Sequence, residues 1–69
     1  MANTALIIAI DANGDRRTVE FAGGPAAAIK HFGGILRGDG FRPIRLVLIH
    51  GTTVMQYEGA AEVAEVLGW

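Results

Sequence analysis

The sequence of 69 residues contains no cysteine and no serine, and it has only two histidines, His31 and His50. Without cysteine, the chain can form neither a disulfide nor a thiolate metal site. Without serine or cysteine, it lacks the most common nucleophiles of covalent catalysis. Thr52 and Thr53 follow His50, but a threonine-rich hairpin tip is typical of turn and strand structure. We therefore expect no catalytic residue, no metal site and no cofactor.

Long apolar runs and a strong charge of one sign are also missing. The run Ala5–Ile10 is far shorter than the roughly 20 residues of a membrane-spanning helix, and no basic segment precedes it. The formal net charge of −1 argues against a general polyanion binder. These features predict a cytoplasmic protein that does not enter a membrane.

The short chain predicts one domain, residues 1–69, with a small core. A domain of this size buries only about 60% of the surface that its unfolded chain exposes. Its core rarely supplies more than roughly 3–5 kcal/mol, so small scaffolds use disulfides, metals or oligomerisation in addition. With the first two excluded, a dense apolar core or self-association remains, and the hydrophobic content of 51% fits either.

A first hairpin is predicted around Asn13-Gly14. These residues tolerate the positive φ angles of a two-residue type I′ turn between apolar strands. That turn places Asp11 opposite Arg16 and Leu6 opposite Phe21. Because side chains alternate along a strand, one face then collects four apolar residues. They are Leu6, Ile8, Val19 and Phe21.

A helix is predicted to begin at Pro25, since proline is favoured at the first helical position. Gly33-Gly34 lies inside it, and each glycine costs about 1 kcal/mol relative to alanine. The helix either stops near Phe32 or continues to Arg37. We expect continuation, with Gly38 just beyond the helix end and the two glycines permitting close approach to the sheet.

The second half repeats the pattern. The run Ile44–Ile49 predicts a third strand, with Pro43 at its start. A turn at His50-Gly51 pairs Leu46 with Met55 and leads into a fourth strand. A second helix is predicted over residues 60–67.

The sequence therefore predicts an α+β fold of two layers with the element order ββαββα. Its two ββα halves span about residues 1–38 and 39–69, and either duplication or convergence explains their likeness. The continuously apolar strands 1 and 3 are typical of central strands, which gives a four-stranded antiparallel sheet of order 2-1-3-4. We expect both helices on one face; helices on opposite faces are the alternative. The residues predicted beneath the helices are Leu6, Ile8, Phe21, Leu46, Leu48 and Tyr57.

The second sheet face would then have no covering element. An apolar patch of this kind usually marks an interaction site. We expect it to bind another protein or a second copy of this chain, as an adaptor, regulator or inhibitor. Small phage and mobile-element proteins that block a host complex are an analogy of size and architecture only. The predicted partner-binding residues are Ile7, Arg45, Val47, Ile49 and Val54 on this face, together with Arg37 and Arg42.

Nucleic-acid binding is the alternative function. Five arginines against one lysine resemble an interface composition, and Arg37, Arg42 and Arg45 lie close in sequence. RNA-binding sheets need aromatic side chains on the open surface, however. Phe21 and Tyr57 are predicted on the helix side instead.

Overall fold

The computed structural model describes residues 4–69, which form four strands and two helices. The strands pair in the order β2-β1-β3-β4, and every neighbouring pair is antiparallel. This architecture confirms the predicted α+β fold and its strand order. The elements are β1 (Thr4–Asp11), β2 (Arg16–Ala22), α1 (Pro25–Asp39), β3 (Pro43–His50), β4 (Thr53–Glu58) and α2 (Ala60–Leu67).

Both helices pack on the same face of the sheet. Helix α1 contacts β1, β2 and α2, while α2 contacts β3 and β4. The alternative with helices on opposite faces is therefore wrong. One apolar core lies between the two layers, and at about 25 cal/mol per Å² its burial is the main stabilising term. Its members are Ala5, Ile7, Ala9, Ala28, Phe32, Leu36, Phe41, Leu46, Leu48, Val63 and Leu67.

The register of the first hairpin differs by one residue from the prediction. Ile7 lies opposite Val19, and Arg16 lies opposite Ile10 instead of Asp11. Because side chains alternate, this shift reverses the facing of β1. The predicted core residues Leu6 and Ile8 thus point away from the helices.

Asp11 explains the different turn. Its carboxylate Oδ1 accepts hydrogen bonds from the backbone N–H groups of Asn13 and Asp15, each at 2.9 Å. The N–H of Gly14 donates to the Asp11 carbonyl, and only Gly14, at φ +86°, adopts positive φ in this loop. These features define a three-residue loop, a type I turn followed by a glycine bulge. A type I′ turn would need positive φ at Asn13 as well.

The second hairpin is shifted by two residues, which leaves its facing unchanged. Its turn residues are Gly51 and Thr52, so His50 pairs with Thr53 and Leu48 pairs with Met55. Gly51 has a φ of +64°, which fits the first position of a type II′ turn. The predicted turn at His50-Gly51 is therefore wrong, but Leu46 and Leu48 face the helices as expected.

Helix α1 continues through its two glycines, as predicted, but ends later. Asp39 is its last residue, and Gly40 takes the left-handed conformation that was expected of Gly38. A Cβ on Gly33 would lie 3.1 Å from the carbonyl oxygen of Leu67. Gly33 thus permits close approach of the C-terminal end of α2, and not of the sheet.

Helix α2 spans the predicted residues 60–67. Neither helix formed by residues 4–69 has the length and apolar character needed to cross a membrane.

Candidate functional site

The sheet face turned away from the helices is an uncovered surface with an apolar centre, and we call it the open face. Residues directly opposite one another on neighbouring strands point to the same side. Three rows of four side chains therefore cross this face, each read from β2 through β1 and β3 to β4. The first row is Arg16, Ile10, Arg45 and Glu58; the second is Thr18, Ile8, Val47 and Gln56; the third is Glu20, Leu6, Ile49 and Val54.

The centre of the open face is apolar. Ile8 adjoins Val47 in the second row, and Leu6 adjoins Ile49 in the third. These four side chains are only partly buried, and Val54 beside them is 54% exposed. No segment within residues 4–69 lies over them, because both helices occupy the other face. The predicted residues Val47, Ile49 and Val54 are thus placed together on an accessible surface.

Ile7 does not belong to this surface. Ile7 lies on the helix side of β1 and is fully buried, so the prediction that it contacts a partner is wrong. The physical reason is the one-residue shift set by the Asp11 turn. Leu6 and Ile8 take its place, which makes the open face more apolar than the predicted combination of Ile7 and Ala9.

Arg45 lies on the open face and is paired there. Its Nε is 3.2 Å from Oε2 of Glu58, directly opposite on β4. It is the sole ion pair found within residues 4–69, and both side chains are more than half exposed. Such a pair contributes little to folding, about 0–1 kcal/mol. It does place two opposite charges at one corner of the open face.

Arg37 lies on α1, and Arg42 lies in the connection between α1 and β3. With Gly40, Phe41 and Trp69 they line a depression of about 220 Å³, which we call the Trp69 pocket. Its lining contains two guanidinium groups and no carboxylate side chain. The structure thus brings Arg37 and Arg42 together but separates them from Arg45.

The Trp69 pocket is built by the ends of both helices. The N–H of Phe41 donates to the Leu36 carbonyl, and the N–H of Trp69 donates to the Ala64 carbonyl at 2.8 Å. Each helix thus ends in a Schellman motif, with a left-handed glycine followed by an aromatic residue. The dipeptides Gly40-Phe41 and Gly68-Trp69 are the sequence signal that could have located this pocket.

A second depression, of about 300 Å³, adjoins the first across Phe41. The guanidinium carbon of Arg17 lies 4.7 Å from the centre of the Phe41 ring, a cation–π contact. Asp11 and Asp39 also line this depression. Their carboxylates offset the positive charge there, so the Trp69 pocket is the more basic of the two.

Reactive groups are sparse. No cluster of three or more metal-ligating side chains occurs within residues 4–69. Nε2 of His50 is buried and has no hydrogen-bond partner among these residues.

Comparisons of the chain with protein-family models, with curated proteins and with solved structures found no match.

Proposed function

We propose that this protein is a small non-enzymatic protein-binding module that acts through its open face. The observation that supports this function most strongly is the apolar centre of that face, which has no covering element within residues 4–69. Apolar surface of this kind is removed from water when a partner binds. A cytoplasmic adaptor, regulator or inhibitor fits this design.

The partner would contact the apolar centre first, with polar groups around it. Protein interfaces combine an apolar core with a polar rim. The open face has this arrangement: Leu6, Ile8, Val47 and Ile49 lie in the middle, while Arg16, Glu20 and Glu58 lie toward the edges. Arg45 would act at the rim, where charge influences partner choice more than affinity.

The test compares Ile49→Lys with Ile35→Lys. Ile35 is an exposed isoleucine of helix α1, so it offers the same substitution in the other layer. We expect wild type and Ile35→Lys to self-associate or to retain a protein from extract of the source cells. Ile49→Lys should lose that association while remaining folded by circular dichroism. Unchanged association of Ile49→Lys would contradict the proposal.

A second candidate function is binding of single-stranded nucleic acid at the Trp69 pocket. Two arginines beside an indole favour it, because bases stack on aromatic rings and guanidinium groups pair with phosphates. Trp69 is 38% exposed, which leaves ring surface for stacking. In this candidate function Arg37 and Arg42 bind the nucleic acid together, and Arg45, which was predicted to join them, takes no part.

Trp69 is the sole tryptophan of the chain, so its fluorescence reports directly on the pocket. We would titrate the protein with a single-stranded DNA of about ten nucleotides, within the usual site sizes. Arg37→Gln and Arg42→Gln should each weaken quenching and lower the salt slope by about 0.7. Arg45→Gln removes the same charge outside the pocket and should bind as wild type. Equal effects of all three substitutions, or no quenching, would contradict this candidate.

A further inference from the structure

We infer that the partner on the open face is a second copy of this chain, packed face to face about a two-fold axis parallel to the strands. This inference rests on the proposed function, since it names the protein that the open face binds. The need for a partner is physical: within residues 4–69 the chain has neither a disulfide nor a metal cluster to supplement a small core.

The apolar centre of the open face lies over itself under this rotation. A two-fold axis parallel to the strands places each row opposite the same row of the second copy, in reversed order. Strand β1 then faces β3 of the copy, and β2 faces β4. Ile8 meets Val47 of the copy, and Leu6 meets Ile49. The apolar centre is therefore complementary to itself.

The two ends of the first row carry opposite charges, whereas its inner positions place Ile10 opposite Arg45 of the copy, and the third row places Glu20 opposite Val54 of the copy. Reversal of the first row places Arg16 opposite Glu58 of the copy, and Glu58 opposite Arg16 of the copy. Each Glu58 already pairs with Arg45 at 3.2 Å, so the dimer would join these groups into a network. Complementary charges at a rim determine which arrangement forms.

The other two-fold axis within this plane is perpendicular to the strands. It would place the first row over the third row of the copy, with Arg16 over Glu20, Ile10 over Leu6, and Arg45 and Glu58 over Ile49 and Val54. Glu58 would then have no arginine of the copy opposite it, whereas the strand-parallel axis places it between Arg45 of its own chain and Arg16 of the copy. A charge exchange between Arg16 and Glu58 distinguishes the two axes, because only the strand-parallel axis brings these two residues together. Aligned sheets pack face to face, with strand directions within about 30° of each other.

The test is a charge exchange between chains, read by sedimentation equilibrium. Arg16→Glu places two carboxylate pairs in the dimer, and Glu58→Arg places two guanidinium pairs. We expect each variant alone to associate about tenfold or more weakly than wild type, because like charges become opposed. A one-to-one mixture should recover dimerisation, since both pairs are then of opposite sign.

A matched control uses Glu62→Arg, which makes the same charge change on the exposed surface of helix α2. Alone it should dimerise as wild type, and its mixture with Arg16→Glu should associate no more strongly than Glu62→Arg alone, because the heterodimer keeps one pair of opposed carboxylates. Should Glu58→Arg not fold, Arg16→Gln and Glu58→Gln replace the exchange; each should weaken the dimer, and their mixture should recover part of the association, because the heterodimer retains one Arg16–Glu58 pair. Failure of the mixture to exceed its separate components would overturn the proposed arrangement.

The outcomes also separate this inference from the proposed function. A monomeric wild type that retains a different protein, and loses it through Ile49→Lys, would overturn the second-copy inference and leave the proposed function intact. If Ile49→Lys changes neither self-association nor the retention of another protein, the second-copy inference and the proposed function are both wrong.

Discussion

On strand β1, neighbouring isoleucines have opposite environments. Ile7 is fully buried beneath the helices, whereas Ile8 lies on the open face beside Val47. The sheet is apolar on both faces, so hydrophobicity alone does not distinguish core from surface in this molecule. The difference is coverage: two helices seal one face, and nothing within residues 4–69 covers the other. Identical side chains therefore stabilise the fold on one face and are available for binding on the other.

The largest effect on stability should come from placing a charge on the buried face of β1, and the same charge on the open face is the comparison. Ile7→Lys buries an ammonium group with no partner, at a cost of several kcal/mol, which exceeds what a core of this size supplies. We expect loss of cooperative thermal unfolding, measured by circular dichroism. Ile8→Lys can extend its charge into water and should fold. Equal behaviour of the two variants would mean that the assigned facing of β1 is incorrect.

A smaller loss of stability should follow from adding a side chain where α1 approaches the end of α2. Gly33→Ala adds a Cβ that would lie 3.1 Å from the Leu67 carbonyl oxygen, so α2 must shift. We expect a loss of about 1–2 kcal/mol in the free energy of unfolding by urea. Gly34→Ala meets nothing within 4 Å and should stabilise by about 0.5–1 kcal/mol. Stabilisation by both substitutions would contradict the close helix approach.

The turn at Asp11 determines which face of β1 is buried. Asp11→Ala removes the acceptor of two backbone hydrogen bonds and should lower stability by about 1 kcal/mol. Asp11→Asn retains a side-chain oxygen that can accept these hydrogen bonds, so this variant should keep most of the wild-type stability. Nuclear Overhauser contacts between Ile7 and Val19 would report whether the register persists. An Asp11→Ala variant as stable as wild type would remove Asp11 from this role.

The smallest effect is expected on the open face itself. Glu58→Gln removes the exposed ion pair with Arg45 and should change monomer stability by about 0.5 kcal/mol or less. The measurement requires a protein concentration below that of self-association. A loss above about 1 kcal/mol would show that this corner is part of the folded framework.

Much of the fold was predictable because local signals agree with one another. Pro25 marks the start of α1, the apolar runs of β1 and β3 indicate central strands, and the ββα order follows. The candidate site was predicted only in part. Val47, Ile49 and Val54 lie where expected, since a two-residue shift preserves facing. Ile7 does not, because β1 is apolar on both sides and its alternation does not indicate a face.

The residues of the Trp69 pocket were also predicted only in part. Arg37 and Arg42 were singled out by their closeness in sequence, and they do line one depression. Arg45 is equally close in sequence, but it belongs to a strand whose side chains alternate between faces, and it points to the open face. Trp69 joins the pocket only because the Schellman motif of α2 and the space beside Gly33 bring it to the end of α1.

The sequence by itself determined the element order, the antiparallel strand order and the facing of β3 and β4, because apolar periodicity and glycine or proline positions are local properties. Only the tertiary structure decided the facing of β1 and the placement of Trp69 beside Arg37 and Arg42. The facing of β1 depends on one carboxylate at the turn, which selects a three-residue loop, and a shift of a single residue exchanges the two sides of a strand.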